Sequence, residues 1–171
     1  MLTGCASPSG PATASTSPTA SPAASPTVAA STPVPDLSTE LGYFRSGGIA
    51  GFADVLTVAT DGTAVVRRRG DTVAQCRVKP TPLGHLSDLA ATATPALPSL
   101  RRKGPTKVPP AMPDAMTTGL VVGGARYPIG TLESVPDDVR SLYRTMGDLF
   151  NQTLTFAGPG THAATEWCEP I

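Results

Sequence analysis

A chain of 171 residues with 13 basic and 13 acidic side chains has no net charge, and therefore lacks the basic footprint that neutralising a nucleic-acid backbone requires. No run of 18 or more apolar residues occurs, so no segment reads as a membrane span. With two histidines and three cysteines, a multi-histidine metal site is not expected, and nothing in the composition asks for a cofactor.

The first residues, Leu2-Thr3-Gly4-Cys5, have the form of a bacterial lipobox: an aliphatic residue, then small ones, then the cysteine whose sulfur takes a diacylglycerol. A secretory signal also needs a charged stretch and an apolar stretch of about 7–15 residues before its cleavage site. Only Met1 precedes Leu2, so the expected translation start lies further upstream. On this reading residues 1–5 are a signal remnant ending at lipidated Cys5, the mature chain is extracytoplasmic, and the lipid ties it to the cell membrane.

From residue 6 to residue 35 the chain is Ser, Thr, Pro and Ala, broken only by Gly10, Val28 and Val34, with no charge. Such a tract buries too little apolar surface to offset the entropy of ordering. Residues 6–38 are expected to form a disordered stalk leaning to polyproline II, with a reach of roughly 100 Å at about 3.1 Å per residue. The composition suits a plain spacer and also fits O-glycosylation. What remains, residues 39–171, is of a size for one domain with its own core.

Within that domain residues 41–44 read as a strand, followed by a glycine-rich turn, and residues 53–60 as a second, with Asp54, Leu56 and Val58 on one face and Val55, Thr57 and Ala59 on the other. Asp61-Gly62 is a hairpin signal because glycine supplies positive φ. Residues 63–69 return, and after Gly70-Asp71 residues 72–78 add a further strand, giving an antiparallel meander. Thr81-Pro82 is expected to cap and open a helix carrying Leu83, Leu86, Leu89, Ala90 and Ala93, ended by Pro95. Residues 96–114, with many prolines and Arg101-Arg102-Lys103, read as an exposed loop. Residues 116–122 and 125–129, joined by Gly123-Gly124, form a second hairpin. Pro136-Asp137-Asp138 opens a helix whose acidic start suits its dipole and whose stripe is Val139, Leu142, Tyr143, Met146, Leu149 and Phe150. The fold class is α+β: a meander and a second hairpin, with two helices on one face of the sheet.

Cys76 and Cys168 are an even pair in a chain expected to mature in an oxidising compartment, which predicts a disulfide; two free buried thiols are the alternative. The bridge would close a loop of roughly 90 residues, stabilise the domain by about 2–4 kcal/mol, and pin the tail to the strand carrying Cys76.

No HExxH, G-x-S-x-G, P-loop or Cys-x-x-Cys motif is present. Ser46, His85 and Asp88 make only a nominal catalytic set of the type any chain of this length offers, and no enzyme activity is expected. Gly47, Gly48 and Gly51 lack G-x-G-x-x-G spacing. Arg67-Arg68-Arg69 and Arg101-Arg102-Lys103 read as solvated faces, with an anionic polymer or lipid head group as the alternative.

The segment Phe44-Arg45-Ser46-Gly47-Gly48-Ile49-Ala50-Gly51-Phe52, continuing through Asp54-Val55-Leu56-Thr57-Val58 to Asp61-Gly62-Thr63, resembles the opening of the emfourin family of protealysin inhibitors. The resemblance is specific over these residues and architectural beyond them. It implies protein binding rather than catalysis, with a secreted thermolysin-like metalloprotease as partner. The stalk, the basic proline-rich loop and the tail from Thr153 onward depart from the family pattern.

The candidate contact residues are Arg45, Ser46, Gly47, Gly48, Ile49, Gly51 and Phe52. Glycines there permit close approach of another backbone, and Ile49 and Phe52 offer apolar anchors; alternatively the glycines merely make a wide turn and both side chains fold back into the core. Two functions stay open: an envelope lipoprotein whose domain binds and inhibits a protease, or a structural or ligand-carrying lipoprotein without such a partner.

Overall fold

In the computed structural model the described residues are 37–102 and 116–171, the side chains of residues 101 and 102 excepted. Cys5, the stalk up to residue 36, residues 103–114 of the expected basic loop and residue 115 lie outside them.

Period-two alternation of apolar and polar side chains builds the sheet. Strands β1 (Leu41–Gly47), β2 (Phe52–Val58), β3 (Thr63–Arg68) and β4 (Asp71–Val78) form the expected meander. β5 (Met116–Val122) and β6 (Ala125–Ile129) form the second hairpin, and β7 (Cys168–Glu169) adds to the outer side of β4. The spatial order is β6-β5-β1-β2-β3-β4-β7, and every neighbouring pair is antiparallel.

Asp54, Leu56 and Val58 of β2 are buried, as are Ala64 and Val66 of β3, Ala74, Cys76 and Val78 of β4, and Leu120 and Val122 of β5. Two helices supply the other half of this core. Helix α1 (Pro80–Ala93) buries Leu83, Leu86, Ala90 and Ala93, and α3 (Asp137–Leu154) buries Val139, Leu142, Met146, Leu149 and Phe150. Each large apolar side chain so removed from water is worth about 1.5–3 kcal/mol, which is why the 3.6-residue pattern decides where these helices lie. Asp137 and Asp138 occupy the first turn of α3, and Arg140 pairs with Asp137 at 2.9 Å.

Away from the β1–β2 turn, the structure differs from expectation at three places. Helix α1 begins at Pro80, after Lys79 and without a side-chain cap: Pro80 and Pro82 have no N–H to leave orphaned, so a capping hydroxyl at Thr81 has less to do. Pro95 does not start a long loop; residues 94–96 form a 3-10 turn and α2 (Leu97–Arg102) follows. Pro95 and Pro98 stand in first turns, where their fixed φ is compatible with helix, and buried Leu97 anchors the segment. Finally, Leu37 is buried and its N–H bonds the Thr60 carbonyl at 3.1 Å, so the packed chain already includes a residue expected in the stalk.

β1 is central and covered on both sides. Phe44, on the face away from the helices, lies over Gly119 and under the Arg126 guanidinium, 4.2 Å from the ring centroid. A Cβ at Gly119 would stand 2.3 Å from the Tyr127 carbonyl oxygen and 2.7 Å from the Phe44 ring.

The tail returns as expected. Cys76 and Cys168 are disulfide-bonded with Cα atoms 5.7 Å apart across 92 residues of sequence. Val78 pairs with Cys168 and Arg77 with Glu169. The Lys79 N–H donates to the Trp167 carbonyl at 2.8 Å, and its Nζ donates to the Thr165 carbonyl.

Candidate functional site at the hairpin tips

The turn expected over residues 45–52 is narrower in the structure. Arg45, Ser46 and Gly47 continue β1 and pair with Asp54, Ala53 and Phe52. Only Gly48, Ile49, Ala50 and Gly51 remain as the tip, closed by the Gly51 N–H on the Gly48 carbonyl at 2.9 Å. The physical reason is local: Gly47, Gly48 and Gly51 take φ of 89°, 75° and 59°, so the chain reverses within four residues and the ladder runs to its end.

This arrangement separates the two apolar anchors. Ile49 is 87% exposed at the tip. Phe52 is half-buried and packs under the Arg45 guanidinium, 4.6 Å from its ring centroid, while the same guanidinium stands 4.6 Å from the ring of Phe150 on α3. Thus Ile49 is presented and Phe52 braces the hairpin. Ser46 sits in the ladder between Ala53 and Thr117, and among the described residues no hydrogen bond links it to His85 or Asp88.

Arg45 is held by Asp54, which sequence reasoning had not singled out. Register places Arg45, Asp54 and Arg68 side by side on three adjacent strands. The Asp54 carboxylate has no exposed surface. It accepts from Arg45 Nε at 2.8 Å and from Arg68 Nε at 2.9 Å, and forms an ion pair with Arg45 Nη2 at 2.7 Å. Burial pushes its carboxyl pKa up, but the hydrogen bonds and charges of Arg68 and Arg45 outweigh that and hold it below the usual value. The same bonds raise the pKa of Arg68. Behind this row, burial and a hydrogen bond with Tyr143 push the Tyr43 hydroxyl up to about 12.

A second tip lies against the first. Arg68 and Asp71 pair across a two-residue loop, Arg69-Gly70, with φ of 53° and 98°. Arg69 is the one non-glycine with positive φ among the described residues. Its N–H donates to the Ala53 carbonyl at 2.8 Å, and its Nη2 reaches the Gly51 carbonyl at 3.4 Å. Between the tips is a notch of about 130 Å³ lined by Ala50, Gly51, Phe52, Ala53, Asp54, Arg68 and Arg69. Met116, 52% exposed, pairs with Gly47 at the same end of the sheet.

Sequence reasoning missed Asp54, Arg68, Arg69 and Met116 as parts of this site. A signal existed for Asp54: it shares a face with Leu56 and Val58, and a charge on an apolar face demands a partner. The pairing of that face with Arg68 depends on register, which the residue pattern alone did not supply.

No family model matches this sequence, and no curated protein is significantly similar to it. Among the described residues no helix is long and apolar enough to cross a membrane.

Proposed function

We propose that the chain is a lipid-anchored protein of the cell envelope whose domain binds a protein partner through the β1–β2 tip, and that the partner class is a thermolysin-like metalloprotease, which it inhibits. The observation that carries the partner-binding reading is Ile49: a large apolar side chain 87% exposed on a four-residue tip braced from behind by Arg45, Phe52 and Asp54. A tip already closed by the Gly51–Gly48 hydrogen bond loses less entropy on docking than a free segment would, and an apolar anchor at a projecting tip is what a partner's cleft can desolvate. The protease class rests on the resemblance of residues 44–63 to the emfourin opening.

The alternative, a structural or ligand-carrying lipoprotein, would be favoured by an enclosed apolar cavity. The groove of about 510 Å³ beside β4 is instead open to solvent and mixes Val73, Phe156 and Ile171 with Thr72, Gln75, Thr161 and His162.

The test is inhibition of thermolysin, and of a secreted metalloprotease from the same organism, by the full chain, compared with its Ile49→Asp variant. An unpaired charge forced into a desolvated contact costs several kcal/mol, so inhibition should fall by about a hundredfold or more while circular dichroism and Tm stay unchanged. Absence of inhibition by the wild type would return the protein to the alternative, and equal inhibition by the folded variant would move the site away from the tip.

A further inference from the structure

We propose that the notch between the two hairpin tips is a carboxylate-binding site, so that the protein segment docking on Ile49 carries an aspartate or glutamate whose side chain lies against Arg69, with Arg68 behind it. This rests on the partner-docking reading of the tips and specifies the chemistry of what docks.

Backbone conformation supplies the first argument. A two-residue hairpin loop with positive φ at both positions favours Asn-Gly or Asp-Gly, because a longer side chain in the left-handed region is disfavoured. Arg69 stands there nonetheless, at φ 53°. Its N–H bond to Ala53 would be made by any residue except proline, and among the described residues the guanidinium itself gains only the long 3.4 Å contact to Gly51. A disfavoured backbone state held for so small an internal return points to a role outside the fold.

Charge supplies the second. Among the described residues, four arginines, Arg45, Arg67, Arg68 and Arg69, meet two aspartates, Asp54 and Asp71, on these strand ends, an excess of two positive charges in a chain with none overall. Asp54 is already engaged by Arg45 and Arg68. Among the described residues, no ion pair engages Arg67 or Arg69.

Geometry supplies the third. The notch, about 130 Å³, admits a side chain rather than an element of structure. At its rim Gly51 carries no side chain, and a Cβ there would lie 3.5 Å from Arg69 Nη2, in ordinary contact with the guanidinium. A planar guanidinium offers paired N–H donors that match a carboxylate, and exposed Ile49 beside it would take an adjacent apolar residue.

The experiment titrates the full, nitrogen-15-labelled chain with two blocked tetrapeptides, acetyl-Gly-Leu-Glu-Gly-amide and its Gln counterpart, following backbone amides and arginine Nε–H signals. The Glu peptide should shift Arg69 Nε–H and the amides of Gly51 and Phe52 saturably, and bind at least about fivefold tighter than the Gln peptide at low ionic strength, with the preference shrinking at high salt. Arg69→Asn restores the favoured turn residue: it should raise Tm by a few degrees and abolish the preference for Glu. Equal binding of the two peptides, no localised shift with either, or a preference that survives Arg69→Asn would overturn the site. So would phosphatidylglycerol vesicles that reproduce the same shifts and are released equally by Arg67→Gln and Arg69→Asn, since the surface would then face lipid. A Glu preference without thermolysin inhibition would sink the protease reading and leave the site standing, whereas inhibition with no Glu preference would do the reverse.

Discussion

Asp54 shows how one residue can be read from a pattern and still have its importance concealed. Its place on the apolar face of β2 is plain from alternation with Leu56 and Val58, and burial there without partners would be prohibitive. Register across β1, β2 and β3 supplies Arg45 and Arg68, and in hairpins that register is fixed by turn type and loop length as well as by the apolar pattern. The arrangement has a consequence for acid stability. Because the folded carboxyl pKa is held below the ordinary value of about 3.9, the unfolded chain takes up the proton first as pH falls. The stabilisation is thus fully present above about pH 5 and is lost as pH drops through the folded pKa. Asp54→Asn should cost about 2–4 kcal/mol at pH 7, below the range for a fully buried pair because Arg45 and Arg68 both reach solvent. Urea unfolding of both proteins at pH 7 and near pH 3 checks this: the gap should narrow on acidification, and a constant gap would contradict the account.

At the scale of elements, legibility followed local determinants. Strands, hairpins and the α3 stripe came from periodicity, and Asp61-Gly62 marked its turn through chemistry the structure displays: the Asp61 carboxylate accepts from the Thr63 N–H at 2.9 Å and hydroxyl at 3.0 Å, and Gly62 has φ 82°. What escaped was set by tertiary contact. α2 forms because Leu97 finds the core, and β7 is two residues long, too short for any period to register. The tail nevertheless could be placed, since Cys168 had one partner to find besides Cys5. Closing a 92-residue separation should stabilise the domain by about 2–4 kcal/mol. Replacing both Cys76 and Cys168 by alanine should therefore lower Tm by roughly 10 °C. Hydrogen exchange should localise the change: the Lys79 amide, donor to Trp167, should lose protection first, while the β2–β3 ladder keeps it. Unaltered exchange at Lys79 would mean that β7 holds without its bridge.

At the scale of the whole molecule, a neutral total hides an uneven distribution, with Arg67 and Arg69, which no ion pair engages among the described residues, gathered around the tips. A neutral net charge gave no reason to expect a nucleic-acid partner, and that level of description could not show a local site. The N-terminal reading is of another kind, since Cys5 and the stalk lie outside the described residues and rest on motif and composition. It predicts chemistry that can be measured directly. Expressed behind a lipoprotein signal sequence, the chain should incorporate labelled fatty acid and partition into detergent, because the two acyl chains of a diacylglycerol give stable anchoring where one would give only marginal, reversible binding. Cys5→Ser should abolish both label and partition and release the protein to the medium, while leaving Tm unchanged. The comparison has to be made in the chain that retains Cys76 and Cys168, since their pairing leaves Cys5 the remaining thiol of the three cysteines. Label retained by Cys5→Ser would place acylation elsewhere, and membrane association retained without label would require a second anchor and remove the basis for the lipoprotein reading.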